Sequence, residues 1–296
     1  MEILAYAKLN LTFEVLGRRS DGFHQVTTIM QTIGLADVLR IEPNPELKVY
    51  CEYPELCGEQ NLAWRAAVEL AKVCNVEPKA RITIEKYIPV GMGLGGGSSD
   101  AAAALLGLNR LWDLGLSLDE LAAIAAGLGS DVSFFLWGGT ALARGRGEQI
   151  TRLPSLPPLA ITLVFPDLVV PNKTAAMYSS LTLAQFSDGG VTRQLMQILV
   201  SGQFVRESVA GLIFNAFSEL AARTYPGLME MCREVANQGG PAMHLCGAGP
   251  ALFTLPSSEE EHQRIVELLQ PHRAGVYLVN TVSPDNCGVG SLPAGD

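Results

Sequence analysis

A glycine-rich stretch followed by alanines, PVGMGLGGGSSDAAAA at residues 89–104, most constrains what this chain can fold into. Glycine fills five of the seven positions from 91 to 97, although it loses more conformational entropy on folding than any other residue. A strand-like segment precedes the stretch, and a helix-forming alanine run follows it. Because the first N–H groups of a helix lack intrahelical partners and carry a positive dipole end, this arrangement is typical of phosphate binding.

The glycine loop also partly matches two other nucleotide-binding motifs. A Walker loop requires a lysine after its last glycine, whereas Gly97 is followed directly by Ser98, which excludes that motif. The loop also satisfies the dinucleotide pattern G-x-G-x-x-G, but no clear acidic residue ends a strand about 20 residues further on. A flexible turn without a ligand is the remaining alternative. If phosphate binds, Ser98 and Ser99 can add hydroxyl contacts to it or to magnesium, and Asp100 is expected in the first helical turn.

Composition and charge exclude several classes of protein. The chain has 296 residues, of which 48% are hydrophobic, and its net charge of −9 comes without any Lys/Arg cluster, which argues against a nucleic-acid or anionic-membrane surface. Its six cysteines form no C-x-x-C pair, so they indicate neither a zinc site nor a disulfide framework. The first residues read as a strand and not as a signal peptide, and no apolar run reaches the ~18–20 residues that span a bilayer. We expect a cytoplasmic monomer or homodimer that binds a small molecule, and neither nucleic acid nor membrane.

Hydrophobic periodicity predicts strands and helices in mixed order, which favours an α+β architecture. Asn61 is a candidate helix cap, and Ser117 with Glu120 forms a capping box. Strands are predicted at residues 4–16, 35–43, 46–53, 80–88, 160–166, 241–246, 250–256 and 275–281. Helices are predicted at residues 61–73, 101–112, 117–129, 192–202, 212–226 and 227–238.

A proline-rich segment, TRLPSLPPLA, suggests a domain boundary near its centre. We predict an N-terminal domain at residues 1–155 that carries the glycine loop, and a C-terminal domain at residues 156–282. Residues 283–296 show no periodicity and are predicted to form a flexible tail.

Three segments together resemble the GHMP kinases, the family of galactose, homoserine, mevalonate and phosphomevalonate kinases. The stretch at residues 89–104 resembles their phosphate loop. Residues 5–37, AYAKLNLTFEVLGRRSDGFHQVTTIMQTIGLAD, and residues 127–148, GLGSDVSFFLWGGTALARGRGE, resemble the opening and catalytic segments of one branch of the family. The three segments keep the order and spacing of that branch, and the resemblance covers most of residues 1–180.

The resemblance implies a fold, a reaction and an ATP site. It implies the two-domain GHMP kinase fold of class α+β, with a ribosomal S5 domain 2-like N-terminal domain and an α/β-plait-like C-terminal domain. The implied reaction transfers the γ-phosphoryl group of ATP, bound with Mg²⁺, to the tertiary 2-hydroxyl of a cytidine-diphosphate substrate in the non-mevalonate isoprenoid pathway. The implied ATP-binding residues are those of the glycine loop: Pro89, Val90, Gly91, Met92, Gly93, Leu94, Gly95, Gly96, Gly97, Ser98 and Ser99.

The same resemblance implies a catalytic pair. Asp131, in GSDVSFF, matches the catalytic aspartate of the family, although a carboxylate at this place is also a candidate helix N-cap. Lys8, in YAKLNL, matches the lysine that contacts the acceptor hydroxyl and pairs with the aspartate; the alternative is a side chain that extends to solvent. Asn10 matches a substrate-contacting asparagine, and strand alternation places it on the same face as Lys8.

The cytidine part of the resemblance lies in DGFHQV and in VVPNKTAAMYSSL. A turn at Asp21 would present Phe23, which stands where the family usually has tyrosine, and His24, which matches the residue that reads the cytosine edge. Thr174 and Tyr178 match the segment that closes on the base from the other side. The alternative interpretation of the first segment is a hairpin tip with one buried aromatic ring.

Two further groups of residues complete the implied site. Asn61 and Lys86 fall near positions that the family places around adenine and ribose. The segment HLCGAGPALF resembles a third family motif in which serines usually stand at the positions of Cys246 and Ala248. Without those hydroxyls, a contact here must come from backbone N–H groups of residues 247–249.

Competing functions are distinguishable at this level. Another GHMP kinase with a different alcohol substrate is disfavoured by DGFH together with GRGE. A non-catalytic nucleotide-binding protein on this fold is disfavoured because Lys8 and Asp131 are both present. A dinucleotide-dependent oxidoreductase is the remaining alternative and rests on the G-x-G-x-x-G pattern alone.

Overall fold

The computed structural model describes residues 1–168 and 173–286 of the chain. The tail predicted at residues 283–296 lies outside the described residues from position 287 onward. In the first half the elements are β1 Glu2–Arg18, β2 His24–Glu42, β3 Lys48–Cys51, α1 Leu62–Cys74, β4 Arg81–Glu85, α2 Gly96–Leu111, α3 Leu118–Leu128, α4 Val132–Trp137, β5 Thr140–Gly145 and β6 Gln149–Arg152. In the second half they are β7 Ala160–Phe165, α5 Lys173–Ser179, α6 Gly190–Ser201, α7 Arg206–Ala210, β8 Phe214–Asn215, α8 Ser218–Thr224, α9 Leu228–Asn237, β9 His244–Leu245, β10 Leu252–Thr254, α10 Glu259–Leu269 and β11 Gly275–Asn280.

The first sheet is built on a long antiparallel pair, β1 and β2. Its order is β3-β4-β2-β1-β8, and β5 and β6 add to it beside the first part of β2. Thus β2 pairs with β5 through residues 26–31 and with β4 through residues 38–42. Between these two stretches, Ile33 bridges to Thr281 near the end of the described chain. Three register shifts interrupt the pairing of β1 with β2.

The alanine run predicted to be helical packs one face of this sheet closely. Residues 101–104 of α2 are almost fully buried against α1 and the sheet. A Cβ added at Gly107 would lie 2.4 Å from Ile41 Cδ1, so only small side chains permit this helix-to-sheet distance. The alanine run therefore favours helix formation and also lets the helix pack closely on the sheet.

The second sheet has the order β11-β7-β10-β9 and consists entirely of strands from residue 160 onward. Helices α9 and α10 pack on it through Met231, Val235 and Ile265. A separate core joins the two sheets, because Leu9 and Leu11 of β1 pack in one cluster with Ile161 and other residues of β7. The short strand β8 also crosses from the second half to pair in parallel with β1. The domain division at residues 155 and 156 stays a prediction.

Most predicted elements are confirmed, and two predictions are wrong. The predicted helix at residues 212–226 is helical only at α8, because the Asn215 side chain bonds the carbonyls of Leu245 and Gly247 and caps the N–H of Phe217. Helix α2 begins at Gly96, so Asp100 lies beyond its first turn. Helix α10 was not predicted, although Ser258 caps it ahead of three glutamates. Across the two described ranges, no helix has the length and apolarity needed to cross a membrane.

Candidate active site

A cavity of about 550 Å³ opens where the two sheets meet. Of the eleven predicted ATP-binding residues, all but Ser99 line it. The Ser99 hydroxyl instead donates 2.7 Å to the Tyr6 carbonyl oxygen, and its residue is 2% exposed. The cavity also contains Lys8, Asn10 and Asp131 in its wall. The structure thus brings the predicted phosphate loop and catalytic pair into one cleft.

The glycine loop depends on backbone conformations that only glycine adopts readily. Gly95, at the N-cap of α2, has φ of 77°, and Gly93 has φ of 88°. The first helical bond of α2 runs from the Ser99 N–H to the Gly95 carbonyl oxygen, so the N–H groups of Gly96, Gly97 and Ser98 precede it. Such N–H groups at the start of a helix are typical of anion-binding sites, and here they lie at the cleft.

The loop is held from the other side by the segment of residues 246–249. A Cβ at Gly93 would lie 2.0 Å from the Cys246 carbonyl oxygen, and one at Gly247 would lie 2.8 Å from the Gly93 carbonyl oxygen. Gly247 and Ala248 line the cleft, whereas Cys246 is fully buried. Burial raises the pKa of the Cys246 thiol to about 12, so this cysteine is a neutral core residue at physiological pH.

Replacing Gly95 by alanine is expected to lower kcat and ATP affinity by at least about 10-fold. A Cβ there would lie 2.8 Å from Phe135 Cζ and 3.2 Å from Lys8 Cε, and displacement of a catalytic group is costly to the rate. Gly115→Ala is the matched control, because Gly115 has φ of 66° and nothing within 4 Å of its added Cβ. Steady-state kinetics of both variants check this, and equal losses would show that backbone strain alone is responsible.

Lys8 and Asp131 form an ion pair in the cleft, with 3.2 Å between Nζ and Oδ2. The Lys8 side chain is 5% exposed and the Asp131 side chain 30%. Lys8 also donates 2.6 Å to Asn10 Oδ1, and the Asn10 amide donates 2.8 Å to the Thr28 hydroxyl. This chain of contacts fixes the lysine while leaving its partner carboxylate accessible to a ligand.

Asp131 occupies the N-cap position of α4 but makes no capping hydrogen bond through its side chain. The alternative interpretation as a helix cap is therefore wrong. The carboxylate points instead to Lys8, and it also acts on Tyr178, whose pKa is raised by burial and by this negative charge. A partly exposed carboxylate in the wall of the cleft is suited to accept a proton from a hydroxyl that binds beside it.

A buried cluster of three charged residues, Asp37, Lys86 and Asp100, connects the segments before and after the glycine loop. Lys86 donates to Asp37 Oδ2 and, at 2.7 Å, to Asp100 Oδ2. Asp37 Oδ1 accepts the N–H groups of Tyr87 and Ile88, just before the loop, while Asp100 lies just after it. Burial raises the pKa of Asp100, and the neighbouring Asp37 charge adds to this. Lys86 thus lines the cleft and also forms buried ion pairs with Asp37 and Asp100.

The predicted turn at Asp21 is confirmed. Asp21 Oδ1 accepts the N–H of Phe23 at 3.1 Å, and the Arg19 N–H donates 2.8 Å to the Phe23 carbonyl oxygen. Phe23 is 51% exposed, and the Arg146 guanidinium lies over its ring at 4.9 Å. Arg146 belongs to the segment GRGE and lines the cleft, but Phe23 does not. The turn is thereby tied to the catalytic segment by a cation–π contact.

His24 and Tyr178 lie in direct contact, with ring centroids 5.2 Å apart and 26° between the planes. Tyr178 and Thr174 line the cleft, whereas His24 is buried beside Tyr178 and does not. Burial lowers the pKa of His24, with the Arg18 charge adding to it, and His24 Nε2 is buried without a partner in the described part of the chain. The two rings lie too close together to admit a nucleotide base between them. The proposed roles of these residues in binding a base therefore stay predictions.

On the side expected to hold adenosine, Asn61 lines the cleft and caps α1. Its Oδ1 accepts the Ala63 N–H at 2.8 Å. Sequence reasoning missed two cationic residues of the cleft wall, Arg146 and Lys173. Arg146 stood in a quoted motif, which was a usable signal. Lys173 likewise stood in a quoted segment, VVPNKTAAMYSSL, but its burial depends on a contact with Gly91, distant in sequence, which the segment does not reveal.

The fold and the cleft define a member of the GHMP kinase class. The GHMP kinases N terminal domain matches residues 61–139, which contain the glycine loop and Asp131. The crystal structure of the *Methanococcus jannaschii* mevalonate kinase superimposes with a TM-score of 0.72 at 16% identity, covering 96% of this chain and 98% of that one. At that identity the likeness establishes the fold.

Closer relatives specify the family. A 4-diphosphocytidyl-2-C-methyl-D-erythritol kinase from *Dehalococcoides mccartyi* is 37% identical over 96% of this chain and 99% of its own length. The crystal structure of a 4-(cytidine 5'-diphospho)-2C-methyl-D-erythritol kinase has a TM-score of 0.76 at 35% identity, covering 94% of this chain and 99% of that one. The chain belongs to the 4-diphosphocytidyl-2-C-methyl-D-erythritol kinase family and is an ATP-dependent kinase.

Proposed function

We propose that the chain phosphorylates the 2-hydroxyl of 4-diphosphocytidyl-2-C-methyl-D-erythritol with ATP, and that Lys8 and Asp131 carry the reaction. The observation that supports this most is the Lys8–Asp131 ion pair in the same cleft as the glycine loop. Asp131 accepts the proton of the hydroxyl while the hydroxyl oxygen forms a bond to the γ-phosphorus. The bond from that phosphorus to the β–γ bridging oxygen breaks, and ADP leaves with the electron pair.

Each partner of this step has a distinct role. Lys8 pairs with the Asp131 carboxylate, and its positive charge stabilises the developing alkoxide. The N–H groups at the start of α2 hold the phosphates, and Asn10 keeps the Lys8 ammonium in position. Positioning and charge stabilisation account for most of phosphoryl-transfer catalysis, and these groups are proposed to supply the protein's share of both.

Mg²⁺ is proposed to enter as the ATP complex. The described residues contain no cluster of three or more His, Cys, Asp or Glu suited to a metal. Mg²⁺ commonly takes most of its oxygens from phosphates and water and needs only one or two protein ligands. The Ser98 hydroxyl and the Asp131 carboxylate fit that requirement, and the metal supplies neutralisation of phosphate charge.

A coupled ADP-release assay tests the proposed substrate. The cytidine-bearing alcohol is compared with galactose, homoserine, mevalonate and methylerythritol phosphate that lacks cytidine. ADP release with the first compound alone is expected, because binding energy from the remote cytidine positions the reacting hydroxyl. Efficient phosphorylation of the compound without cytidine would contradict the assignment.

Tyr178→Ala is expected to raise the KM for the cytidine substrate by about 10- to 100-fold, which corresponds to the ~1–3 kcal/mol of one base–aromatic contact. Tyr178→Phe should differ little from wild type, because the ring provides the contact. The KM for ATP serves as the internal control and should hardly change. A uniform loss for both substrates, with a lowered melting temperature, would mean that Tyr178 is needed only for packing against Phe13 and Phe217.

We also propose a cytoplasmic location. The five cysteines of the described residues are free thiols, which fits a reducing compartment. The negative net charge of −9 fits a partner that is a small molecule and not a nucleic acid.

A further inference from the structure

Lys173, the first residue of α5, is a cation in the cleft wall that the proposed mechanism does not use. Its residue is 8% exposed, and its Nζ donates to the Gly91 carbonyl oxygen in the glycine loop. Lys8 reaches the same loop four residues further on, where Gly95 faces its Cε. Lys173 and Lys8 thus approach the phosphate loop at these two glycines. A third buried lysine, Lys86, lies near the glycine that follows Gly95, but its charge is already paired with two carboxylates.

The two lysines differ in their partners. Lys8 has the carboxylate of Asp131 and the amide oxygen of Asn10. Lys173 forms no ion pair with a carboxylate within residues 1–168 and 173–286, and its hydrogen-bond partner is a neutral carbonyl. The charge of Lys173 is thus buried without compensation, which is unfavourable unless a ligand supplies the opposite charge.

The electrostatic surroundings of Lys173 agree with this geometry. Burial lowers the pKa of Lys173 to about 8, with a Cys246 thiolate opposing the shift and the Lys8 charge reinforcing it. Because burial raises the pKa of Cys246 itself to about 12, the thiol is neutral near pH 8 and supplies no negative charge. Neither Lys8 nor the neutral Cys246 thiol provides a negative charge for Lys173, so its ammonium is suited to bind an anion.

We propose that Lys173 binds a phosphate oxygen of a substrate in this cleft and exchanges the Gly91 carbonyl for it. The inference rests on the proposed phosphoryl transfer, because that reaction brings phosphate to the glycine loop. A lysine ammonium is a common point-charge ligand for phosphate, and the contact is charge-assisted. Its place on the loop favours the phosphates of ATP, while the diphosphate of the second substrate offers the same chemistry.

Lys173→Met is the main test, with Lys79→Met as the matched control. Lys79 pairs with Glu77 at the surface and lines no part of the cleft. Binding of a non-hydrolysable ATP analogue with Mg²⁺, of ADP and of CDP is measured by calorimetry. Lys173→Met should weaken at least one of these ligands about 10- to 100-fold, and Lys79→Met should weaken none.

The ligand that loses affinity identifies the source of the phosphate. A loss for the ATP analogue alone assigns the contact to the γ-phosphate, and a loss for ADP as well assigns it to the β-phosphate. A loss for CDP alone assigns it to the second substrate. Unchanged affinity for all three ligands would overturn the proposal.

The melting temperature of the variant should not fall, although its affinity for ligand should. Because the ligand-free enzyme buries this ammonium without a counter-charge, Lys173→Met should have a melting temperature at least as high as wild type. A lower melting temperature together with unchanged ligand affinities would make Lys173 a structural residue. Lys173→Gln repeats both measurements if the methionine variant does not fold.

Turnover by the wild-type enzyme separates this inference from the proposed function. If no ADP forms with the cytidine substrate while analogue binding still depends on Lys173, the substrate assignment fails and the phosphate contact remains. If ADP forms but the affinity for none of the three ligands depends on Lys173, the substrate assignment remains and the phosphate contact fails.

Discussion

Replacing Asp131 by asparagine is expected to lower kcat by roughly 1,000-fold, within the 10²–10⁴ range typical of a positioned general base. The amide keeps the size and shape of the carboxylate but does not accept the proton of the hydroxyl. The Lys8 ammonium loses its 3.2 Å ionic partner, so the developing alkoxide loses a positioned cation as well. The affinity for ATP should stay close to that of wild type, because the glycine loop is untouched.

The measurement is single-turnover kinetics together with calorimetric titration of an ATP analogue. Asp119→Asn, an exposed aspartate in the first turn of α3, controls for the same substitution away from the cleft and should keep full turnover. Since Asp131 makes no capping hydrogen bond, its replacement should not unfold α4. An Asp131→Asn enzyme with most of its turnover would remove Asp131 from the mechanism.

Lys86→Met is expected to cost about 3–5 kcal/mol of unfolding free energy, the range found when one partner of a buried ion pair is removed. Asp37 and Asp100 would then lie together without a cation in a site where their side chains are 0% and 4% exposed. Urea unfolding monitored by circular dichroism measures the loss. Lys72→Met is the control, because Lys72 and Glu69 are exposed and such pairs contribute under about 1 kcal/mol.

The loss should depend on pH in a defined direction. Burial already raises the pKa of Asp100 to about 7, and removal of the Lys86 charge raises it further. A carboxyl with a raised pKa binds its proton more tightly in the folded state, so stability falls as pH rises from its unfolded value through its folded value. Lys86→Met should therefore be less stable at pH 8 than at pH 6 by a larger margin than wild type. A pH-independent loss would indicate that packing, and not charge, is what Lys86 provides.

The sequence analysis placed the glycine loop, Lys8 and Asp131 in one site, and the structure brings them together in one cleft, while their roles stay predictions. A run of glycines before a helix, a lysine and an asparagine two residues apart on a strand, and an aspartate after a glycine turn all appear where expected. Asn61 and Ser117 cap their helices as predicted. The two caps are determined by contacts within a few residues along the chain, whereas Lys8 and Asp131 are distant in sequence and were identified through the family resemblance.

Two features that the sequence analysis got wrong or did not predict involve contacts between distant residues. Residues 212–217 have helical periodicity, yet Asn215 bonds the carbonyls of Leu245 and Gly247, some 30 positions away. Lys173 is buried against Gly91, 82 positions away. Neither contact leaves a periodic or compositional trace, because the partner is a backbone carbonyl that any sequence provides.

The stretch of β2 that lies between its pairings with β5 and β4 affects how the chain folds during synthesis. Its Thr32 carbonyl oxygen accepts the N–H of Val282 at 2.9 Å, and the Gln31 amide donates to the Val282 carbonyl oxygen 251 positions along the chain. During synthesis at about 5–20 residues per second, this part of the strand waits on the order of tens of seconds for its partner. An unpaired strand edge can pair with other chains, so this edge of β2 stays open to such pairing until residue 282 has been synthesised.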